Sequence, residues 1–498
     1  MKRRDFARTF LSSLSAAGLT QYFTSLRGAE EGEVFSKAET VETIEELRQL
    51  APRNDIVVFV LGYHEPHDGG GGLFRWKPDD DTEPDGGTIF SSDLRGQNSK
   101  NNKKGRWHRI FQNETLNVLW FGAHRDDSTD ATPAIQSALQ SVARFNDLDE
   151  YASRPHPETG YHGTVYIPRG TYQIERPISV EIGGLRIVGD GAHSTILRAS
   201  EEMGPSEVVM EVIGTGYGTT PGPVRRVYCA DFGIRGRGTE PSEEPIGLMA
   251  REMNGWMFER LDLRYLNYGL DLTGSWAGEL QNVYVTHAHE GSIINDVSHN
   301  VGIIACRFLQ TEASGKPGLR IRGCSGFSIV STNFEGSDIG LLMGSGIKGA
   351  SISGCYFEAQ EEVHIRLEGQ ARNVSEKRKR GIEGVSIVGN YFNNAKGKRV
   401  EDYAIHVRGN NDYPVTGLDI SGNHVDGGTE FMIYFELDEG NYDTSSFSIA
   451  GNSLGTPDPP LLTNLSQKRE RETGWQGFVH SWDEETRRAF NSVLEQES

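Results

Sequence analysis

The chain has 498 residues, a formal net charge of -20, 36% hydrophobic residues and 60 glycines. So acidic a balance argues against nucleic acid and anionic membrane surfaces as partners. No stretch reaches the run of about 20 apolar residues that spanning a bilayer takes, so no membrane span is expected.

In chain order, Lys2-Arg3-Arg4 precedes a short, weakly apolar stretch from Phe10 to Leu19. Twin arginines in that position read as a Tat-type export signal over residues 1–33, cut near Gly28-Ala29. The mature protein is therefore expected in the periplasm or outside the cell. Residues 40–113 read as a small α/β module. Thr43 to Leu50 has helical spacing and Pro52 stops it, Ile56 to Leu61 is a buried strand, and Gly69 to Gly72 is a turn before the strand Leu73 to Trp76. The glycine run lacks the Gly-Lys-Ser/Thr ending of a phosphate cradle. Asn98 to Lys104 reads as a mobile loop.

Next comes Trp120-Phe121-Gly122-Ala123-His124-Arg125-Asp126-Asp127-Ser128-Thr129-Asp130-Ala131-Thr132, then Ala134-Ile135-Gln136 and Gly163-Thr164-Val165-Tyr166-Ile167-Pro168-Arg169-Gly170-Thr171-Tyr172. The pattern is strand, acidic turn, amphipathic helix, strand, Pro/Gly turn. Asp130 or Thr132 can cap the helix, and the helix can close the end of a stacked structure. These residues resemble the opening module of the pectate lyase superfamily, of the rhamnogalacturonase/epimerase-like kind. Arg125 and Asp127 stand where that family has glycines, and Ala131 where it has an acid, which weakens a phosphate or metal role for the loop. The 40–113 piece is similar to the module that precedes the β-helix in some tailspikes. The resemblance implies a right-handed parallel β-helix acting on or binding polysaccharide. It leaves the reaction open, since the superfamily holds lyases, hydrolases, epimerases and binders.

From Val227 to Leu454 one phrase recurs at roughly 22–35 residues: apolar–x–apolar, small residues, then an aromatic or branched residue. It is clearest at Val385-Ser386-Ile387-Val388-Gly389-Asn390-Tyr391-Phe392 and at Phe447-Ser448-Ile449-Ala450-Gly451-Asn452. Its period of two is that of a strand, and such a unit buries its inner face only by stacking on copies. The expected fold is thus all-β: a solenoid over 114–460, with a helical tail over 461–498 around Trp482 to Leu494. Cys306 and Cys355 fall at one phrase position two repeats apart. That puts them about 10 Å from each other, too far for a disulfide, so both read as buried thiols. Cys229 and Cys324 complete the set.

Aligned phrases become columns about 4.8 Å apart. One column carries Glu335, Glu358, Asn393 and Asp426. The turn after it carries His289, Glu312, Asp338 and Glu361, with Glu290 and Glu362 beside them. Carboxylates one or two coils apart fall in the about 5–10 Å range used by glycosidases. A second column, on the strand after the turn, places Arg320, His364, His406 and Tyr434 on one outward stripe, with Arg322, Arg366 and Arg408 nearby. Cations there can clamp uronate groups, Arg bidentately. Arg320, His364 or His406 can serve as the base for β-elimination. His287-Ala288-His289-Glu290 lacks a further ligand set for zinc. No motif marks a cofactor; oxygen-rich turns would suit Ca2+, though without a contiguous calcium-loop signature. The catalytic sets of polygalacturonases and the Asp-Pro-His motif of alginate epimerases are absent. Three readings follow: a lyase of acidic glycans, a hydrolase using Glu312, Glu335, Asp338, Glu358 or Glu361, and a non-catalytic glycan binder. Monomer and trimer both stay open.

Overall fold

A computed structural model describes residues 37–96, 104–111, 115–144, 163–215, 222–238, 240–295, 298–310, 316–369, 381–393, 403–410, 412–426, 431–437, 446–454 and 462–463. The export signal, the 98–103 part of the loop, the expected tail helix around Trp482 to Leu494 and Glu312 lie outside them, whereas Leu462–Thr463, expected in the tail, form a strand that pairs in parallel with Ile433 and Tyr434. The chain divides into two compact units: residues 1–178 with 182–190, and residues 179–181 with 191–498.

The first unit opens with a five-stranded sheet of β1 (Lys37–Val41), β2 (Ile56–Val60), β3 (Gly72–Lys77), β4 (Ile89–Phe90) and β5 (Arg106–Ile110), ordered β1-β2-β3-β5-β4. β1 and β2 run parallel, and the other pairs are antiparallel. Helix α1 (Ile44–Gln49) starts where Thr43 accepts the Glu46 N–H and buries Ile44 and Leu47 on the sheet. The glycine run is a turn. Arg109 donates to the carbonyls of Gly70 and Gly71, at 2.9 and 2.6 Å, so oxygens face a cation there.

Two readings of the next segment change. Val118–Phe121 is a 3-10 turn, and the acidic stretch Asp126–Asp130 is a strand beside Gly170–Ile174. Asp127 takes a φ of 64° there, and the Asp126 side chain holds the Ser128 N–H, so a bent strand forms where turn residues crowd together. Helix α2 (Thr132–Arg144) follows. Asp130 accepts the Thr132 N–H at 2.9 Å, and Ile135, Ala138, Leu139 and Val142 are buried.

The second unit is a parallel β-helix, wound right-handed as parallel crossovers are. Each coil brings up to three strands, as in Pro317–Ile321, Ser325–Val330 and Asn333–Glu335. Each strand pairs in parallel with its counterpart on the next coil, giving a first, second and third sheet. Phe308, Phe334, Phe357 and Phe392 form one inner column of the third sheet, with successive ring centroids 5.4, 4.7 and 5.1 Å apart. At the corner before it runs a buried polar column. The Asn423 side-chain oxygen accepts the Asn390 N–H (2.9 Å) and Nδ2 (3.0 Å), and its own Nδ2 donates to Ile387 O (2.8 Å) and Asn452 Oδ1 (3.0 Å). Gly389, Gly422 and Gly451, just ahead of these asparagines, adopt φ of 62 to 66° and make the bend. Cys306 and Cys355 belong to the same corner. All four cysteines are free and buried. Burial pushes the Cys306 thiol up to about 12 and that of Cys355 up to about 11.

Asn423→Ala strands several buried polar groups at once, each worth about 1–3 kcal/mol unpaired. Chemical denaturation is expected to show a loss of about 3 kcal/mol or more, against little change for Ser386→Ala on the outer face.

Candidate functional site

The first sheet is where backbone register and charge meet. Its inner column is Leu319, Leu341, Ile365, Ile405 and Ile433. Its outer column, one residue on, is Arg320, Leu342, Arg366, His406 and Tyr434. Two residues further, Glu368, Arg408 and Glu436 stand in register, and Arg322 occupies the same face earlier in the stack.

His406 sits at the centre, only 8% exposed. Burial, then the charges of Arg366 and Arg408, lower its pKa to about 4, so the ring is neutral at pH 7. Its Nε2 lies 3.2 Å from Glu436 Oε2. A carboxylate can only accept, so this nitrogen carries the hydrogen and Nδ1 keeps a bare lone pair. That Nδ1 is buried and has no hydrogen-bond partner among the described residues. Glu436 by itself would raise the pKa. Its side chain is 43% exposed, however, so water screens it, and it orients the ring without outweighing burial and two guanidiniums. Tyr434 lies 5.1 Å from His406, centroid to centroid, and stacks on Tyr403 at 4.0 Å. Arg408 Nε is 3.1 Å from Glu436 Oε1, and Arg366 donates to Glu362 at 2.9 Å.

His364 is not on this stripe. Its side chain is fully buried, with Nδ1 against Gln360 and the ring between Phe357 and Phe392. Register explains it: Arg366, not His364, pairs with His406. His364 falls at the corner where the chain enters the strand, and a Cβ at Gly340 on the preceding coil would crowd the His364 carbonyl and the Phe357 ring.

The acidic column stands as expected, and each described member has a partner. Glu335 takes Arg307 (2.6 Å), Glu358 takes Asn393 (3.2 Å) and Asp426 takes Tyr391 (3.0 Å). In the turn, the N–H groups of Glu361 and Glu362 bond the carbonyls of Ser337 and Asp338, so these acids lie on adjacent coils. Asp338 is buried. His289 lies 3.8 Å from Glu290, which Lys316 approaches to 2.8 Å. His287 stacks on Tyr265. Among the described residues, no three His, Cys, Asp or Glu side chains gather as a metal site, and no helix is long and apolar enough to cross a membrane. Sequence reasoning missed Glu436 and Tyr403. Glu436 shares a strand with Tyr434 and pairs in register with Arg408, and only the side-chain hydrogen bond shows that it reaches His406.

The class this architecture defines is that of β-helix proteins, and the comparisons name the family. Residues 115–363 match the model for Rhamnogalacturonase A/epimerase, pectate lyase-like, and the chain belongs to this pectate-lyase-like family. Residues 40–112 match the phage tail protein small four-stranded beta-sheet domain. Among solved structures, the enzymatically active domain of bacteriophage CBA120 tailspike protein 4 aligns with a TM-score of 0.54 at 13% identity, covering 83% of this chain and 53% of that one. The gp42 tailspike of Acinetobacter phage vb_AbaP_AS12 gives 0.52 at 14%, covering 88% and 78%. The corresponding domain of CBA120 tailspike protein 2 gives 0.51 at 13%, covering 85% and 56%. The chain thus spans just over half of the two CBA120 tailspike chains. At these identities the likeness concerns the fold. No curated protein matches the chain.

Nuclear magnetic resonance of His406 should show a neutral ring down to about pH 4, with the value rising in Arg366→Gln. The folded value lies below the unfolded value of about 6.5, so this group's share of stability is whole above about pH 6.5 and is lost as pH falls toward about 4.

Proposed function

We propose that this protein is an exported enzyme that cleaves a uronate-containing polysaccharide by β-elimination on the outer face of the first sheet. The observation that carries the reading is the neutral His406, with a bare Nδ1, set between Arg366 and Arg408 and beside Tyr434. Elimination needs all three kinds of group. Arg366 and Arg408 neutralise the uronate carboxylate, which makes the proton at C5 more acidic. His406 Nδ1 takes that proton. The electron pair forms the C4–C5 double bond, the bond from C4 to the glycosidic oxygen breaks, and the Tyr434 hydroxyl supplies a proton to the departing oxygen. Arg320 is two coils from Arg366 in the same column, about 10 Å away, and serves a further uronate along the chain. Arg322 and His289 lie toward the same end. Glu436 and Glu368 position the base and the clamp.

Export rests on the twin arginines of residues 1–33. Sequencing the exported protein should find its first residue near Ala29, and a mature chain that keeps Met1 would remove the signal reading.

Turnover of acidic glycans should generate an unsaturated uronate with its ultraviolet chromophore. His406→Ala is expected to lower kcat by about 100-fold or more. The rate should fall with pH only near about 4. Reducing ends without the chromophore would instead support hydrolysis through Glu312, Glu335, Asp338, Glu358 or Glu361. Binding without turnover would support a glycan-binding protein.

A further inference from the structure

A second charged cluster lies on the outer face of the third sheet, toward the start of the stack. Arg198 pairs in register with Arg235, Arg235 with Arg264, and Arg264 with Thr286. Three guanidiniums and a hydroxyl therefore share one outward column, rising about 4.8 Å per coil. Like charges at that spacing repel, and a buried carboxylate stands beside two of them, Arg235 and Arg264. Asp262, 1% exposed, meets Arg264 Nε at 2.7 Å, His193 Nδ1 at 3.0 Å and an Arg235 terminal nitrogen at 3.7 Å. A single negative charge thus faces two guanidiniums and an imidazole. The nearby cations are already matched: Arg260 is held by both oxygens of Asp231, and Arg237 by the buried Glu244.

Three polar atoms in the cluster are buried with no hydrogen-bond partner among the described residues: Asp262 Oδ2, which has only the longer charge contacts given above, and two that can donate, Arg235 Nε and Thr286 Oγ1, the latter on a residue only 6% exposed. Two donors left bare where two guanidiniums face a single carboxylate are poised for an anion in spite of the chain's net charge of -20. The His193 side chain is 63% exposed, so the cluster opens to solvent.

We infer that Arg235, Arg264, Thr286 and His193 form an anion-binding site that takes the carboxylate or sulfate group of an acidic glycan, apart from the His406 cluster. Guanidinium forks match either group bidentately. The same column continues through Leu309, Glu335, Glu358, Asn393 and Asp426. The wall therefore reverses sign along its length, and a polyanion is held only at the Arg198 end. The inference rests on the glycan reading only in naming the polymer.

The test is calorimetric binding of three hexasaccharides at low salt: a polyuronate, a sulfated glucan and a neutral glucan. Wild type is expected to bind one or both acidic probes and not the neutral one, and the stronger acidic probe identifies the group recognised. Arg235→Gln and Arg264→Gln should each raise Kd about tenfold, the worth of one charge-assisted hydrogen bond. Thr286→Val, which keeps shape and charge, should raise it several-fold with an unchanged unfolding midpoint. Equal binding of the neutral probe, or an unaltered Kd in Thr286→Val and in a folded Arg235→Gln, overturns the site. If His406→Ala removes chemistry while these Kd values stay as in wild type, the elimination reading stands and this one falls. If no unsaturated product forms yet the Kd shifts appear, the reverse holds.

Discussion

Everything placed on the outside of this molecule depends on the hydrogen bonds between parallel strands of successive coils. They fix which residue of one coil lies beside which residue of the next, as with Arg366 beside His406 and Glu335 beside Glu358. Residues tens of positions apart in sequence become neighbours at the spacing of one strand. The buried asparagine column secures this arrangement from within, because its side chains bond from coil to coil and a slipped coil would leave them unpaired.

Charge then sorts the columns. Most described acids on the third sheet are matched across a coil, Glu335 by Arg307 and Asp426 by Tyr391, which makes that stretch a self-satisfied surface. Around His406 the balance differs. Two guanidiniums and burial keep the ring neutral, and the carboxylate that touches it is open to water. The Arg235 and Arg264 pair shows a third outcome, in which cations outnumber the carboxylate between them. Identical side chains acquire different chemistry from the number of partners their coil supplies.

Much of this was legible in the sequence. The Gly-Asn step at 389–390, 422–423 and 451–452 marks the corner in those three coils, because a left-handed bend and a buried amide admit few other residues. The third-sheet column continues from there in register through Glu358 and Glu335. The first sheet has no such mark, and the turns leading into it vary in length. There, Val363-His364-Ile365-Arg366 invites alignment with Ile405-His406-Val407-Arg408, but the true register is displaced by two residues. Alternation cannot reveal such an error: a slip of one turns every side chain to the wrong face, whereas a slip of two preserves the pattern. His364 was misplaced for that reason, and the pairing of His406 with Glu436 stayed hidden.

The rigid rise of the coils also makes the surface a ruler. Substitution can change what a graduation says but not where it stands, because the interval belongs to the backbone. A polymer whose own repeat is commensurate with that interval can present like groups to like marks over many units. One with a different repeat falls out of phase within a few. Selectivity among long ligands can thus arise from periodicity alone, before any single contact is improved.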